Sequence, residues 1–289
     1  MRRPIYLFLL AVGLCCCSSG KRSEVDRRES GTQIPDRIIT LAPSVTELLV
    51  ALGQTPKIIG RDQFSTRPPE LIKLPVLGDF LTPNVEAIAG LKPDLVVLDE
   101  SQTRAIEALK LLGVRTLPLA MHQLSDVRHG LIEVGEAVGQ AERARALVAE
   151  IDTAVQTYTD KGQARVEHPV VLAIIDRDPD HLRNLIAAGP NTYLDELLTL
   201  AGARNMMSGS AVRYPQISSE QILRSAPDII IDLSKSQGGL SAYQAVAEAP
   251  AVKNRRVHIV NEPLLLSPTP RIGEALARVF ALTELTTAL

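Results

Sequence analysis

The sequence predicts an α/β fold in which two Rossmann-like lobes with parallel sheets are joined by a single long backbone helix. Short apolar strands alternate with helical segments from Arg37 onward, which is typical of a parallel sheet covered on both faces. The same order of segments recurs in the second half of the chain. A long helical pattern separates the two halves, which gives the predicted connector.

The strand and helix signals are clear in the first half. Ile38 to Leu41 is an apolar strand that Pro43 ends. Ser44 and Glu47 then have the spacing of a capping box, which opens a helix that Gly53 terminates. Further on, a Lys-Pro-Asp turn leads from a short helix into the apolar strand Leu95 to Leu98. Such alternation favours a doubly covered parallel sheet.

Two pairs of segments repeat at the same spacing in the two halves. Glu47-Leu-Leu is followed by Gly53 at the same interval that separates Glu196-Leu-Leu from Gly202. Glu86 and Glu220 each precede a Pro-Asp turn and an apolar strand, again at equal intervals. Two such pairs in the same order indicate related lobes.

The connector is predicted from apolar residues that recur in steps of three and four between Val127 and Tyr158, which is the helical period. Gly139 divides this run, so the second helix extends from about Gln140 to Asp160 and spans roughly 30 Å. The predicted domains are an N-terminal lobe (36–138), a linking backbone helix (139–163) and a C-terminal lobe (164–289). Since a continuous helix has no soft hinge, we expect a cleft whose opening changes little with ligand.

The composition of the 289 residues excludes several classes of protein. Hydrophobic residues make up 45% and charged residues 22% of the chain, so it is neither disordered nor fibrous. The 31 Lys and Arg nearly balance the 33 Asp and Glu, and the net charge of −2 gives no electrostatic reason to expect nucleic-acid binding. The length suffices for about two domains.

The first residues predict export. Arg2 and Arg3 precede an apolar run that ends at Leu14 and is too short for a bilayer span, which takes about 20 residues. The run is followed by Cys15-Cys16-Cys17, and Leu-Cys-Cys-Cys resembles the lipoprotein cleavage box. Residues 1–17 are therefore interpreted as a lipoprotein signal peptide and 18–35 as a flexible tether.

Lipidation is assigned to Cys17, with Cys16 as the other choice and an ordinary signal peptide as the alternative. All three cysteines lie in this segment, so no disulfide is expected in the folded part.

Several blocks resemble the helical-backbone (class III) periplasmic substrate-binding proteins of ABC importers, also called the helical-backbone metal receptor type. The first block reads Leu-Ala-Pro-Ser-Val-Thr-Glu-Leu-Leu. The blocks lie at residues 41–49, 77–86, 91–96, 189–196, 214–220 and 267–271. Their order resembles most the cobalamin-binding branch, and the resemblance covers residues 37–289.

The resemblance implies an exported, lipid-anchored, monomeric protein on the periplasmic face of the membrane. It would capture a corrinoid (cobalamin-like) metal chelate between the lobes and deliver it to a permease dimer with its ATPase subunits. The same role for a ferric siderophore or haem is the alternative. A non-transport sensor or an α/β enzyme is a second alternative.

The resemblance also implies site residues. Phe64, Phe80 and Tyr214 match positions that face the ligand, where flat rings suit a large, partly apolar ring system. Arg271 matches a position near the cleft and would bind a phosphate, carboxylate or amide oxygen of the ligand. The plainer alternatives are that either phenylalanine fills the local core and that Arg271 forms a salt bridge across a lobe.

One glutamate on each lobe docks onto arginine pockets of the permease in this family, and the matching positions are Glu86 and Glu220. Glu86 and Glu220 are also a pair of glutamates that occurs at matching places in the internal repeat. The plainer alternative is that both are solvated acids at helix N-termini, where the helix dipole favours them.

The sequence does not contain the motifs of a metal site or of the common α/β enzymes. The five histidines have no metal-ligand spacing, so no resident metal ion is expected. The chain has no Gly-x-Ser-x-Gly elbow and no phosphate loop, so neither an enzyme nor a cofactor of its own is predicted. Tyr214 keeps haem among the candidate ligands, since haem iron is often held by a His or Tyr ligand.

Overall fold

The computed structural model describes residues 33–234 and 239–285. The predicted signal peptide, Cys17 and residues 18–32 of the predicted tether lie outside the described residues. Within the described stretches, no helix is both long enough and apolar enough to cross a membrane.

The first lobe is a four-stranded parallel sheet with helices on both faces. Its strands are ordered β2-β1-β3-β4, and every neighbouring pair is parallel. The strands are β1 (Ile38–Thr40), β2 (Ile58–Arg61), β3 (Leu95–Asp99) and β4 (Thr116–Leu119). The helices are α1 (Pro43–Ala51), α2 (Val85–Gly90), α3 (Thr103–Leu111) and α4 (Leu124–Ala137).

A single helix, α5 (Ala141–Gln163), leads from the first lobe to the second. The strands of the second lobe are β5 (Val170–Asp176), β6 (Leu185–Ala187), β7 (Arg204–Asn205), β8 (Gln216–Ile217), β9 (Ile229–Asp232) and β10 (Val257–Ile259). Its helices are α6 (Tyr193–Leu200), α7 (Ser219–Ser225), α8 (Pro250–Lys253) and α9 (Ile272–Leu282). The predicted fold class, two α/β lobes joined by one long helix, is confirmed.

The sheet of the second lobe is mixed, unlike the prediction of a parallel sheet. Strands β10, β9, β5 and β7 are parallel, whereas β6 runs antiparallel to both β5 and β8. The physical reason lies in the connection between β5 and β6. Only residues 177–184 join these strands, and a parallel crossover needs a dozen or more residues.

The central strands are buried on both faces, and alternate residues enter different clusters. In β3, Leu95 and Val97 face one cluster while Val96 and Leu98 face another. In the second lobe, Ile229 and Ile231 of β9 join the same first cluster. Helix α5 adds to it Ala144, Leu147 and Ile151. One hydrophobic core therefore passes from the first lobe through α5 into the second.

The end of α5 touches the end of α6 backbone to backbone. A Cβ atom at Gly162 would lie 2.5 Å from the carbonyl oxygen of Leu200 and 2.7 Å from the nitrogen of Gly202. Gly202 itself has a φ of +76°, which lies in the left-handed region that favours glycine. The packing of the connector on the second lobe thus requires glycine on both sides.

We expect Gly162→Ala to lower the free energy of unfolding by about 1–3 kcal/mol, because the added methyl group overlaps backbone atoms that cannot move independently. The matched control is Gly90→Ala at the end of α2, where nothing lies within 4 Å of the added Cβ. That variant should be neutral or stabilised by about 0.5–1 kcal/mol. Urea denaturation measures both, and equal effects of the two substitutions would contradict this packing.

Candidate functional site

Two neighbouring pockets are lined by residues of both lobes. The larger, of about 340 Å³, lies between the α1 residues Glu47, Val50 and Ala51 and, from the second lobe, Pro270 and Arg271. The smaller, of about 80 Å³, is lined by Phe64 of the first lobe and Pro263 of the second, among others. Both pockets share Glu47 and Arg67. The candidate site therefore lies between the lobes, along α1.

Phe64 is held at this site by the loop that follows β2. The buried Asp62 accepts a hydrogen bond from the backbone nitrogen of Phe64 at 2.8 Å and another from the hydroxyl of Ser65. Ser65 is in turn 2.7 Å from the hydroxyl of Thr46 in α1. The loop is thereby fixed while the Phe64 side chain stays 53% exposed.

The pKa of Asp62, the acid that fixes this loop, is shifted. Burial raises the pKa of Asp62, although its hydrogen bonds from Ser65 and Phe64 and the nearby charge of Arg61 act in the opposite direction. Asp62 was not among the site residues predicted from the sequence. Its only signal was a carboxylate placed directly after an apolar strand.

Phe80 lies on an adjacent loop. The nitrogen of Gln63 donates to the carbonyl oxygen of Gly78 at 3.0 Å, which brings the Phe64 and Phe80 loops together. The buried amide of Gln102 donates to the carbonyl oxygen of Phe80 at 2.8 Å and accepts from the nitrogen of Asp99 at 3.0 Å. The Phe80 ring is half-buried and packs against the shared core.

Tyr214 belongs to the second lobe and is 55% exposed. Its loop is held by Arg213, whose Nη2 donates to the carbonyl oxygen of Asn191 at 2.6 Å and whose own carbonyl oxygen accepts from Gly189 at 2.7 Å. A Cβ at Gly189 would lie 2.6 Å from the carbonyl oxygen of Val212. The structure thus joins the loops that carry Phe64 and Phe80, whereas Tyr214 lies on the other lobe and lines neither of the two inter-lobe pockets.

Arg271 lies at the edge of the larger pocket, where it forms ion pairs. Its Nε is 3.1 Å from Oε2 of Glu47 in the first lobe, and its Nη1 is 3.2 Å from Oε2 of Glu274. The salt bridge that the sequence left as the alternative is therefore present and joins the two lobes. Whether Arg271 also contacts a ligand stays a prediction.

Glu86 and Glu220 occupy matching positions in the two lobes. Each is exposed in the first turn of its helix, α2 or α7. The helices begin with side-chain caps, since Asn84 accepts from the nitrogen of Ala87 at 3.0 Å and Ser218 accepts from the nitrogen of Gln221 at 3.2 Å. Their docking role stays a prediction.

The contacts that follow these helices also repeat. Oδ2 of Asp94 accepts from the nitrogen of Arg37 at 2.9 Å, at the entry to β1. Oδ2 of Asp228 accepts from the nitrogen of Val170 at 2.8 Å, at the entry to β5. The spacing from glutamate to aspartate that the sequence repeats thus corresponds to the same contact in each lobe.

Within the two described stretches, no three His, Cys, Asp or Glu side chains are grouped so that they could hold a metal ion.

The fold and these blocks define a class of protein. The sequence profile of the family described as periplasmic binding protein matches residues 38–264, and the chain belongs to this family. An ABC transporter substrate-binding lipoprotein of Bacillus subtilis is 30% identical over 248 residues, which cover 83% of this chain and 77% of the relative. A cobalamin-binding protein of Halobacterium salinarum is 28% identical over 264 residues, which cover 85% and 68%.

Solved structures show the same architecture. The periplasmic vitamin B12 binding protein BtuF of Vibrio cholerae is 25% identical with a TM-score of 0.74, covering 86% of this chain and 96% of that protein. The apo form of the periplasmic haem-binding protein RhuT of Roseiflexus is 26% identical with a TM-score of 0.75, covering 86% and 99%. The chain is thus similar both to corrinoid-binding and to haem-binding proteins.

We expect Asp62 and Asp79 to give opposite pH dependences of stability. Because the pKa of Asp62 is raised above 3.8, the folded protein keeps its proton at pH values where the unfolded chain has lost it, and the stability that Asp62 contributes falls as the pH rises through that window. Hydrogen bonds from the backbone and side chain of Thr82 lower the pKa of Asp79, so its contribution is lost as the pH falls below 3.8.

Urea denaturation of the wild type, Asp62→Asn and Asp79→Asn between about pH 2.5 and 6 measures these slopes. The stability of the wild type relative to Asp62→Asn should decrease with rising pH, and relative to Asp79→Asn it should increase. Slopes of the same sign for both variants would contradict the assignment.

Proposed function

We propose that this protein is the substrate-binding lipoprotein of an ABC importer and that it captures a corrinoid between its lobes. Membership of the periplasmic binding protein family supports a binding role for vitamin B12, haem or a siderophore. The observation that carries the proposal is the exposure of one aromatic side chain from each lobe. Phe64 and Tyr214 are 53% and 55% exposed in a chain with only five Tyr, four Phe and no Trp.

Exposed rings on two lobes suit a large, flat and partly apolar ligand, because such a ligand is held by contact area rather than by one deep charged pocket. Phe64 and Phe80 would cover one side of the ligand and Tyr214 the other. Arg271 would contribute less than its sequence position suggests, since Glu47 and Glu274 already engage two of its nitrogens.

Haem is the second candidate ligand. Relatives named for cobalamin or vitamin B12 favour a corrinoid, while haem-binding proteins share the fold at a similar level of identity. The exposed phenol of Tyr214 would then supply an axial ligand to the haem iron. The ligand is the transported cargo, and the proposal gives the protein no cofactor and no chemistry of its own.

Isothermal titration calorimetry with cobalamin, cobinamide, haem and a ferric siderophore tests the capture role. We expect binding of cobalamin, and a loss of affinity of about tenfold, or ~1.4 kcal/mol, for Phe64→Ala and for Tyr214→Ala because each removes a flat contact surface. The control is Leu111→Ala, an 88% exposed residue of α3, which should bind as the wild type does.

If haem bound and neither cobalamin nor cobinamide did, haem would become the proposed ligand in place of a corrinoid. The absence of binding for all four compounds would end the capture proposal, and equal losses in the Leu111→Ala control would remove the site assignment.

The proposed partner is a permease dimer with its ATPase subunits, which Glu86 and Glu220 would contact. An exposed carboxylate in the same place on each of two related lobes suits a partner with two similar subunits, and a carboxylate can pair in a bidentate way with arginine. The caps at Asn84 and Ser218 fix the helix turns that carry these acids.

The double variant Glu86→Ala, Glu220→Ala should lose ligand uptake in cells while the purified protein binds ligand with unchanged affinity, because the acids lie outside the inter-lobe pockets. The matched control is Glu107→Ala, Glu167→Ala, which removes one exposed glutamate from each lobe. A loss of ligand affinity in the first double variant, or normal uptake, would refute the docking role.

The proposal also includes export and anchoring. Cys17 would carry the lipid and residues 18–35 would tether a monomeric binding protein to the periplasmic face of the membrane, with lobes at 36–138 and 164–289. The Bacillus subtilis relative, which is named a lipoprotein, supports this part.

A further inference from the structure

The Glu-Leu-Leu segment occurs once in each lobe, and in each case its glutamate contacts the other lobe. Glu47 lies in α1 of the first lobe, and its Oε2 accepts from Nε of Arg271 in the second lobe at 3.1 Å. Glu196 lies in α6 of the second lobe, and its Oε2 accepts from the backbone nitrogen of Leu124 in the first lobe at 2.8 Å. Each glutamate therefore reaches into the lobe that does not contain it.

The two donors also occupy corresponding places, each at the start of a helix. Leu124 is the first residue of α4, the last helix of the first lobe, and Arg271 is the N-cap residue of α9, the last helix of the second. Both α4 and α9 pack against α5. A carboxylate is favoured at a helix N-terminus by free backbone N–H groups and by the helix dipole, and Arg271 adds a full charge to one of the contacts.

Both glutamates act electrostatically on the same buried side chain. Tyr193, the first residue of α6, is 3% exposed, and its hydroxyl has no hydrogen-bond partner among the described residues. The pKa of Tyr193 is raised first by burial and then by the charges of Glu47 and Glu196, while Arg271 opposes them. The negative charges of both contacts are thus felt by one buried hydroxyl.

We propose that Glu47 and Glu196 are positioning residues that fix the separation of the lobes and thereby the width of the cleft. If α5 were the only link between the lobes, the easiest movements would be a twist of one lobe against the other about the helix axis and a bend of the helix itself. The two contacts join different pairs of helices, α1 with α9 and α6 with α4, so together they oppose both movements. The Glu47 contact also forms part of the wall of the larger pocket.

Pulsed EPR distances between spin labels test this without any ligand, so the outcome is independent of the proposed function. The full chain, with Cys15, Cys16 and Cys17 replaced by serine, carries labels at Lys110→Cys and Arg224→Cys, which are exposed residues of the first and second lobe. A second pair, Lys73→Cys and Lys110→Cys, reports on the first lobe alone. The test variants are Glu47→Ala, Glu196→Ala and their combination.

The double variant should broaden the inter-lobe distance distribution by about twofold or more, as expected when a packed contact becomes a mobile one, and leave the distance within the first lobe unchanged. Glu196→Gln should keep the narrow distribution, because its amide oxygen still accepts from Leu124. Glu107→Ala is the control for removal of an exposed acid.

An unchanged inter-lobe distribution in the double variant would overturn the proposal. Equal broadening of the distance within the first lobe would also overturn it, since the effect would then be unfolding. If Glu196→Gln broadened the distribution as much as Glu196→Ala, the hydrogen bond to Leu124 would not be the contact that positions the lobes.

Discussion

The packing of α5 against both lobes is the constraint on which the rest of the structure depends. Ala144, Leu147 and Ile151 place this 23-residue helix in a hydrophobic cluster that also contains core residues of both sheets. Burial of apolar surface is the largest favourable contribution to folding, so separating the lobes would expose part of a core that they share. The two lobes are therefore held on one helix by a core that they share.

The internal repeat places two pairs of glutamates at matching positions in the two lobes. Glu86 and Glu220 are exposed on the outer helices α2 and α7, where a two-fold partner could meet them. Glu47 and Glu196 point inward, and each reaches the last helix of the opposite lobe. The same repetition thus serves a proposed docking surface outside and a fixed junction inside.

The sequence predicted the elements whose signals are local. Strands buried on both faces are continuous apolar runs, as at Leu95–Leu98, and helix ends were marked by Gly53 and Gly202. The antiparallel strand β6 of the second sheet was missed because it has only three residues and no pattern of its own. The prediction of parallel sheets therefore held for the first lobe only.

The site was predicted less completely, because its supporting contacts join residues far apart in the chain. Glu47 and Arg271 are 224 residues apart, and neither segment indicates the other. Gln102 reads as an ordinary residue before a helix, yet it holds the backbone of Phe80, which lies 22 residues away. Such roles follow from tertiary proximity, which periodicity and spacing do not encode.

Differential scanning calorimetry of the purified protein tests the shared core most directly. If the core is continuous through α5, both lobes should unfold in one transition whose calorimetric and van't Hoff enthalpies agree. Two separated transitions, each with its own enthalpy, would contradict the account, because the lobes would then be independent units joined only by a linker.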